Sequence, residues 1–212
     1  MNCLIVSGGT VDKELLLKTW KEMDHPYVIG VDRGCIYLLE NNISVNKAVG
    51  DFDSVNAQEK IIIDKFLDVV QLECEKDDTD TEHAIKMAID MKVSKIVLLG
   101  CTGTRLDQTM SSIGLLKMAK DAGIDAFILD THNRIHVEKG VCILTAADRF
   151  GDYISILPYG NKISGLSIRG FKYEARDLEI ELASSRGVSN ELTHDVGMIT
   201  CDDYFVVMET KD

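Results

Sequence analysis

Proline and tryptophan are scarce: Pro26, Pro158 and Trp20 are the only ones among 212 residues. No stretch is enriched in proline, glycine or serine, so nothing reads as low-complexity or disordered. Long apolar runs are missing too. No segment approaches the roughly 20 residues that span a bilayer, and Met1-Asn2-Cys3-Leu4-Ile5-Val6 carries no basic segment of the kind that opens a secretory signal. The expectation is a cytoplasmic protein with no membrane partner.

Positive charge is in deficit, with 23 Lys and Arg against 35 Asp and Glu and a net charge of −12. That balance opposes binding to nucleic acid, and an anionic substrate would need a bound cation or a local basic patch. Cys3, Cys35, Cys74, Cys101, Cys142 and Cys201 form no C-x-x-C pair and have mostly apolar neighbours. Zinc and dithiol motifs are therefore excluded in favour of buried thiols in a reducing compartment. The histidines are scattered, and His132 and His136 fall on a strand-like segment where i and i+4 lie far apart, so surface histidines are expected. There is no G-x-x-x-x-G-K-[ST], no EF-hand pattern, and Gly8-Gly9 is too short for a dinucleotide fingerprint. A nucleotide would have to be held mainly through metal.

Acidic clusters are what the chain does have. Lys47-Ala48-Val49-Gly50 runs into Asp51-Phe52-Asp53, whose carboxylates share a face if strand geometry persists through them. A second cluster, Asp77-Asp78-Thr79-Asp80, follows one helix and one strand later. Two such groups of oxygen donors suit magnesium. Acids in the first turn of a helix also complement its dipole, which is the plainer account of Asp78, Asp80 and Glu82.

Strand-like runs at Cys3–Val6, Tyr27–Asp32, Lys47–Gly50, Asp68–Leu72, Lys95–Gly100 and Ala126–Leu129 alternate with helical patterns. This is the signature of a parallel α/β sheet of Rossmann-like type, assigned to residues 1–130. In such sheets ligands bind beyond the carboxyl ends of the strands, where Gly8-Gly9, Asp32, both acidic clusters and Cys101–Arg105 all fall. On the helix after Gly103, Arg105, Gln108, Thr109 and Ser112 form one polar stripe; Arg105 is placed for phosphate, while Asp107 could equally cap with Thr104. From 131 to 212 only short alternating segments remain, among them 134–137, 141–144, 197–200 and 205–208. Turn-like residues such as Glu138-Lys139-Gly140 and Asp202-Asp203 stand between them, predicting a small antiparallel β-sandwich or barrel.

Taken together, Val31-Asp32-Arg33-Gly34, Gly50-Asp51-Phe52-Asp53-Ser54, Lys76-Asp77-Asp78-Thr79-Asp80, Gly103-Thr104-Arg105-Leu106-Asp107-Gln108, Gly170-Phe171-Lys172-Tyr173 and Gly187-Val188-Ser189-Asn190-Glu191 resemble the thiamine pyrophosphokinase family over nearly the whole chain. The resemblance implies an α/β catalytic domain that binds ATP and magnesium, a β domain that helps bind thiamine, and a homodimer with sites between subunits. It implies transfer of the terminal diphosphate of ATP to the thiamine hydroxyl, releasing AMP. Asp51, Asp53, Asp77 and Asp80 become expected metal ligands, and Asp51, Asp53, Asp80 and Arg105 the expected catalytic set. Asp32 and Thr79 become further site residues, and Asp107, Gln108, Ser189 and Asn190 expected thiamine contacts. Arg33 stands where the family often has glycine, and Gln108 where bacterial members commonly have histidine. Tyr159 and Tyr173 are candidates for the aromatic stacked on thiamine. The competing readings are a magnesium phosphohydrolase using the same carboxylates and a non-catalytic nucleotide- or thiamine-binding regulator.

Overall fold

The computed structural model describes residues 1–52, 55–66, 68–71 and 78–212. The chain forms two compact units, Met1–Thr131 and His132–Asp212. In the first, β1 (Asn2–Val6), β2 (Tyr27–Val31), β3 (Lys47–Gly50), β4 (Val69–Gln71), β5 (Lys95–Leu99) and β6 (Asp125–Leu129) make a parallel sheet in the order β6-β5-β1-β2-β3-β4. Helices α1 (Lys13–Glu22), α2 (Gly34–Glu40), α3 (Ala57–Phe66), α4 (Asp80–Asp90) and α5 (Leu106–Asp121) fill the crossovers.

Two-sided burial explains the unbroken apolar strands. Cys3, Leu4, Ile5 and Val6 are all fully buried, and Leu4 and Val6 pack with Leu16, Val28, Leu38, Val97 and Leu99. Helix starts follow local chemistry: Asp12 caps α1 by accepting from the Leu15 N–H at 2.8 Å, and Thr79 caps α4 by accepting from the Glu82 N–H at 3.2 Å.

The second unit is antiparallel, built from β7 (Asn133–Thr145), β8 (Tyr153–Pro158), β9 (Lys162–Arg169), β10 (Ala175–Glu181) and β11 (Val196–Thr210). β11 pairs with β7 along its length, with β9 through its first half and with β8 through its second, so two sheets share β7 and β11 around one apolar core. This is the sandwich form of the expectation. One detail is corrected. The segments 134–137 and 141–144 are one strand, as are 197–200 and 205–208. Gly140, at φ +81°, and the register shift between Cys201 and Phe205 make a bend inside a continuous ladder, where turn-like residues suggested a loop.

His136 is a second correction: it is buried, only 4% exposed, rather than at the surface. Strand alternation turns Arg134, His136 and Glu138 of β7 toward the same face as Glu209 of β11. His136 Nδ1 lies 2.9 Å from Glu138, and its Nε2 lies 3.7 Å from Glu209. Burial disfavours a protonated imidazole, but the two carboxylates outweigh it and raise the pKa. Glu209 accepts from Arg134 at 2.5 and 2.6 Å and from the Phe150 N–H at 3.0 Å. Cys142 lies near His136 and Glu138, but the imidazole already stands between two carboxylates, and the group reads as a charge-paired network. Cys3, Cys35, Cys101 and Cys201 are buried free thiols and Cys142 is buried, while Cys74 lies outside the described residues.

The Glu209 network sets a pH dependence. Burial opposes its charge, yet His136 and Arg134 hold the carboxyl down to about 2 from its ordinary 4.5. A depressed carboxylate stabilises fully above its unfolded pKa, and that stabilisation fades as pH falls from about 4.5 toward about 2. Glu209→Gln is expected to cost about 3 kcal/mol at pH 7 and about 1 kcal/mol near pH 3, measured by urea unfolding at both. An equal cost at the two values would show that the charge is not what matters.

Candidate active site

The site begins at the carboxyl ends of β1, β2, β3 and β5. Sheet order reverses at β1, whose neighbours are β2 and β5, so the loops after β1 and β5 lead away on opposite sides of the sheet. They are nevertheless stitched together: Ser7 N–H donates to Leu99 O, Gly9 N–H to Gly100 O and Thr10 N–H to Thr102 O, at 2.8 to 3.0 Å. A cleft of about 710 Å³ opens there, lined by the 7–11 and 100–105 loops together with Asp32, Asp51, Thr79, Asp80, Gln108 and Ser112. All of its lining residues belong to the first unit.

Three carboxylates converge in this cleft. One oxygen each from Asp32, Asp51 and Asp80 lie within 4.8 Å of one another. They come from the loop after β2, the loop after β3 and the first residue of α4. Such a set of hard oxygens fits a divalent cation, whose neighbouring ligands sit about 3 to 4 Å apart for magnesium or calcium. Asp32 is held in place by its backbone and by its neighbours. It adopts φ +48°, and its Oδ1 accepts from the Phe52 N–H at 3.1 Å. Gly50, at φ +152°, packs so closely that a Cβ there would lie 2.0 Å from the same oxygen. A side chain at position 50 would displace that carboxylate, and the backbone φ there is itself one that favours glycine.

The expectation that Asp51 and Asp53 share a face falls on Asp53, which lies outside the described residues. β3 ends at Gly50, and Phe52 takes a left-handed φ of +58° that buries its ring with Cys35, Ile36, Ala48 and Ile63. The partners thus brought to Asp51 are Asp32 and Asp80. Asp53 and Asp77, both expected ligands, lie outside the described residues. In the second cluster the acids divide by role. Asp78 lines the cleft but, like Glu82, pairs with Lys86, at 2.5 and 2.8 Å respectively, which holds Asp78 below its usual range, whereas Asp80 joins Asp32 and Asp51.

The remaining expected residues are spread over both units. Thr79, Arg105 and Gln108 line the cleft. Asp107 is exposed and is the partner of Arg105 at 2.5 Å; the guanidinium holds its carboxyl low, and Thr104 is not part of a capping box. Arg33 is exposed, its Cβ beside Gly8 of the cleft wall. Ser189 and Asn190 belong to the second unit. Ser189 is exposed at φ +59°, its N–H donating to Ser155 Oγ at 3.0 Å. Asn190 is buried; its Oδ1 accepts from the Tyr173 and Glu191 N–H groups, and its Nδ2 donates to Tyr173 O at 2.9 Å. Tyr173 is exposed, and the Tyr159 ring lies 6.3 Å from that of Tyr204. Ser112 of the expected polar stripe also lines the cleft, as do Ser7 and Thr81, whose isolated hydroxyls carry no pattern in the sequence.

A parallel sheet with a carboxylate-lined cleft at its strand ends, in a chain that also carries an antiparallel β unit, places this protein in the α/β class that binds ligands at a topological switch point. Comparison with known proteins narrows this. Residues 17–128 match the model of the thiamin pyrophosphokinase catalytic domain, and residues 132–206 that of the thiamin pyrophosphokinase vitamin B1 binding domain. The thiamine pyrophosphokinase of Bacillus subtilis strain 168 is 33% identical over 194 residues, 91% of this chain and 90% of that one. The crystal structure of thiamine pyrophosphokinase from Bacillus subtilis superposes with a TM-score of 0.87 at 29% identity, covering all of both chains. That from Geobacillus thermodenitrificans does so with a TM-score of 0.85 at 28% identity, covering 100% of this chain and 98% of the other. The chain belongs to the thiamin pyrophosphokinase family and is an enzyme of that family.

The contact at Gly50 yields a test. Gly50→Ala forces a methyl against the Asp32 carboxylate, and we expect thiamine diphosphate formation to fall at least about 10-fold, with a loss of about 1 to 3 kcal/mol in stability. Turnover assays and thermal melts would check it; wild-type turnover would mean that Asp32 need not occupy its observed place.

Proposed function

We propose that this enzyme transfers the terminal diphosphate of ATP to the hydroxyl of thiamine, with attack at the β phosphorus, releasing AMP. The observation that carries the reading is the meeting of Asp32, Asp51 and Asp80 in a cleft at the strand ends. Those three carboxylates would hold magnesium, with Asp53 and Asp77 proposed as additional ligands on the family resemblance. A magnesium ion held there would supply charge neutralisation for the triphosphate and help to orient it.

The protein's own groups do the rest. Gly8, Gly9 and Gly103 form part of the cleft wall, and Gly9 lets the 7–11 and 100–105 loops pack together, since a Cβ there would lie 2.5 Å from Gly100 O and Thr102 O. Arg105 contacts a phosphate, and Asp107 keeps its guanidinium oriented. Thr79, at the start of α4, orients the phosphate end of the nucleotide. Asp107, Gln108, Ser189 and Asn190 are proposed to bind thiamine; Asn190, whose amide is committed to Tyr173 and Glu191, would act by shaping the loop around Ser189. Residues 1–130 supply the catalytic domain and 131–212 the thiamine-binding one. The working form is a cytoplasmic homodimer with sites between subunits.

Chromatography of a mixture of protein, ATP, magnesium and thiamine should show AMP and thiamine diphosphate. ADP would refute diphosphate transfer, and phosphate released without thiamine would favour a phosphohydrolase. Asp51→Asn should lower turnover about 10²-fold through loss of a carboxylate ligand. A folded Asp51→Asn enzyme of near-normal rate would remove Asp51 from the mechanism.

A further inference from the structure

The cleft also has lining groups that are neither carboxylate nor glycine. Ser7 at the end of β1 is 5% exposed, Cys101 beyond β5 6%, and Ser112 on α5 5%. Ser7 Oγ shares a 2.9 Å hydrogen bond with Thr81 Oγ1 and accepts from Cys101 Sγ at 3.7 Å. The Cys101 thiol also bonds with Ser112, and burial pushes its pKa up to about 11, so it stays protonated and serves as a neutral donor.

Thr81 directly follows Asp80. The Asp80 carboxylate must sit within 4.8 Å of two others that are carried by the sheet, so the first turn of α4 has to be registered against the strands. Several polar contacts at that turn are internal to the helix and its lead-in. Thr79 caps the Glu82 N–H, and Lys86 pairs with Asp78 and Glu82. None of these fixes the helix relative to a strand. The Ser7–Thr81 bond does, joining groups 74 residues apart in sequence. Ser7 is itself rigid, because it is buried and its N–H donates to Leu99 O at 2.8 Å.

We infer that Ser7 and Thr81 are positioning residues, whose shared hydrogen bond locks the first turn of α4 to the end of β1 and so sets Asp80 against Asp32 and Asp51. This rests on the proposal that the three carboxylates hold a divalent cation. Groups that orient ligands from behind typically contribute 10- to 100-fold to metal affinity; this bond acts one residue further away, which places its effect at the lower end.

The test is calorimetric titration of Mn2+ into the full-length, nucleotide-free protein. Thr81→Val, close in shape but without the hydroxyl, should weaken binding roughly 10-fold. Thr81→Ser, which keeps the hydroxyl, should bind as the wild type does. Ser7→Ala should match Thr81→Val, giving a second route to the same answer if either variant folds poorly. Asp80→Asn should weaken binding more than either, by about 30-fold or beyond. In turnover, Thr81→Val should raise the Mg2+ concentration for half-maximal rate about 10-fold, with kcat at saturating Mg2+ within about twofold of wild type. Wild-type Mn2+ affinity in Thr81→Val and Ser7→Ala, with Asp80→Asn impaired, would overturn the positioning role and leave the cation reading intact. Equal weakening in Thr81→Ser and Thr81→Val would also overturn it, since packing rather than the hydroxyl would then be responsible. If Asp80→Asn binds as wild type, both readings fall together.

Discussion

Mutual repulsion among three carboxylates is the constraint around which the first unit is arranged. Unit charges 4 to 5 Å apart repel by about 3 to 4 kcal/mol at an effective dielectric near 20, so gathering Asp32, Asp51 and Asp80 in one cleft opposes folding in the absence of a counter-charge. Local contacts hold Asp32 and the loop that carries Asp51. The Phe52 N–H holds Asp32, the absence of a side chain at Gly50 admits it, and the burial of Phe52 anchors the loop that supplies both. Carboxylates gathered in this way suit a divalent cation, which is what the proposed function asks of them.

Sheet topology supplies the place. A chain that lays down β1 to β4 in one direction and then returns to the far side of β1 for β5 leaves a crevice at β1. The Ser7–Thr10 and Gly100–Thr102 loops border it, and α4 and α5 present Asp80 and Gln108 to it. The second unit is stabilised differently, by an apolar core beside a buried ionic network in which each charge meets its opposite. Such a network is costly to break at one member, which makes Arg134, His136 and Glu209 sensitive positions although they lie outside the cleft.

Much of this was legible in the residue pattern. Buried parallel strands announce themselves as apolar runs such as Cys3–Val6, and the alternation of runs with helical stripes implies the sheet. What escaped the pattern was local backbone geometry. Gly140 reads as a turn and is a bend within a strand; Phe52 reads as a strand residue and is left-handed. These outcomes depend on neighbours distant in sequence, the β11 ladder in one case and a buried pocket in the other. Asp32 was recognised as a site acid, but its closeness to Asp51 and Asp80 arises only when β2, β3 and α4 are set side by side. His136 was misplaced for the same reason, since the groups that make its burial tolerable include Glu209, 73 residues later in the chain.

The most direct measurement of the central claim is an anomalous difference map from a crystal soaked with Mn2+ and a non-hydrolysable ATP analogue. The account predicts a peak about 2.1 to 2.3 Å from oxygens of Asp32, Asp51 and Asp80, bridging to the nucleotide phosphates. Ordered nucleotide phosphates in the cleft with no metal peak among those three carboxylates would contradict it.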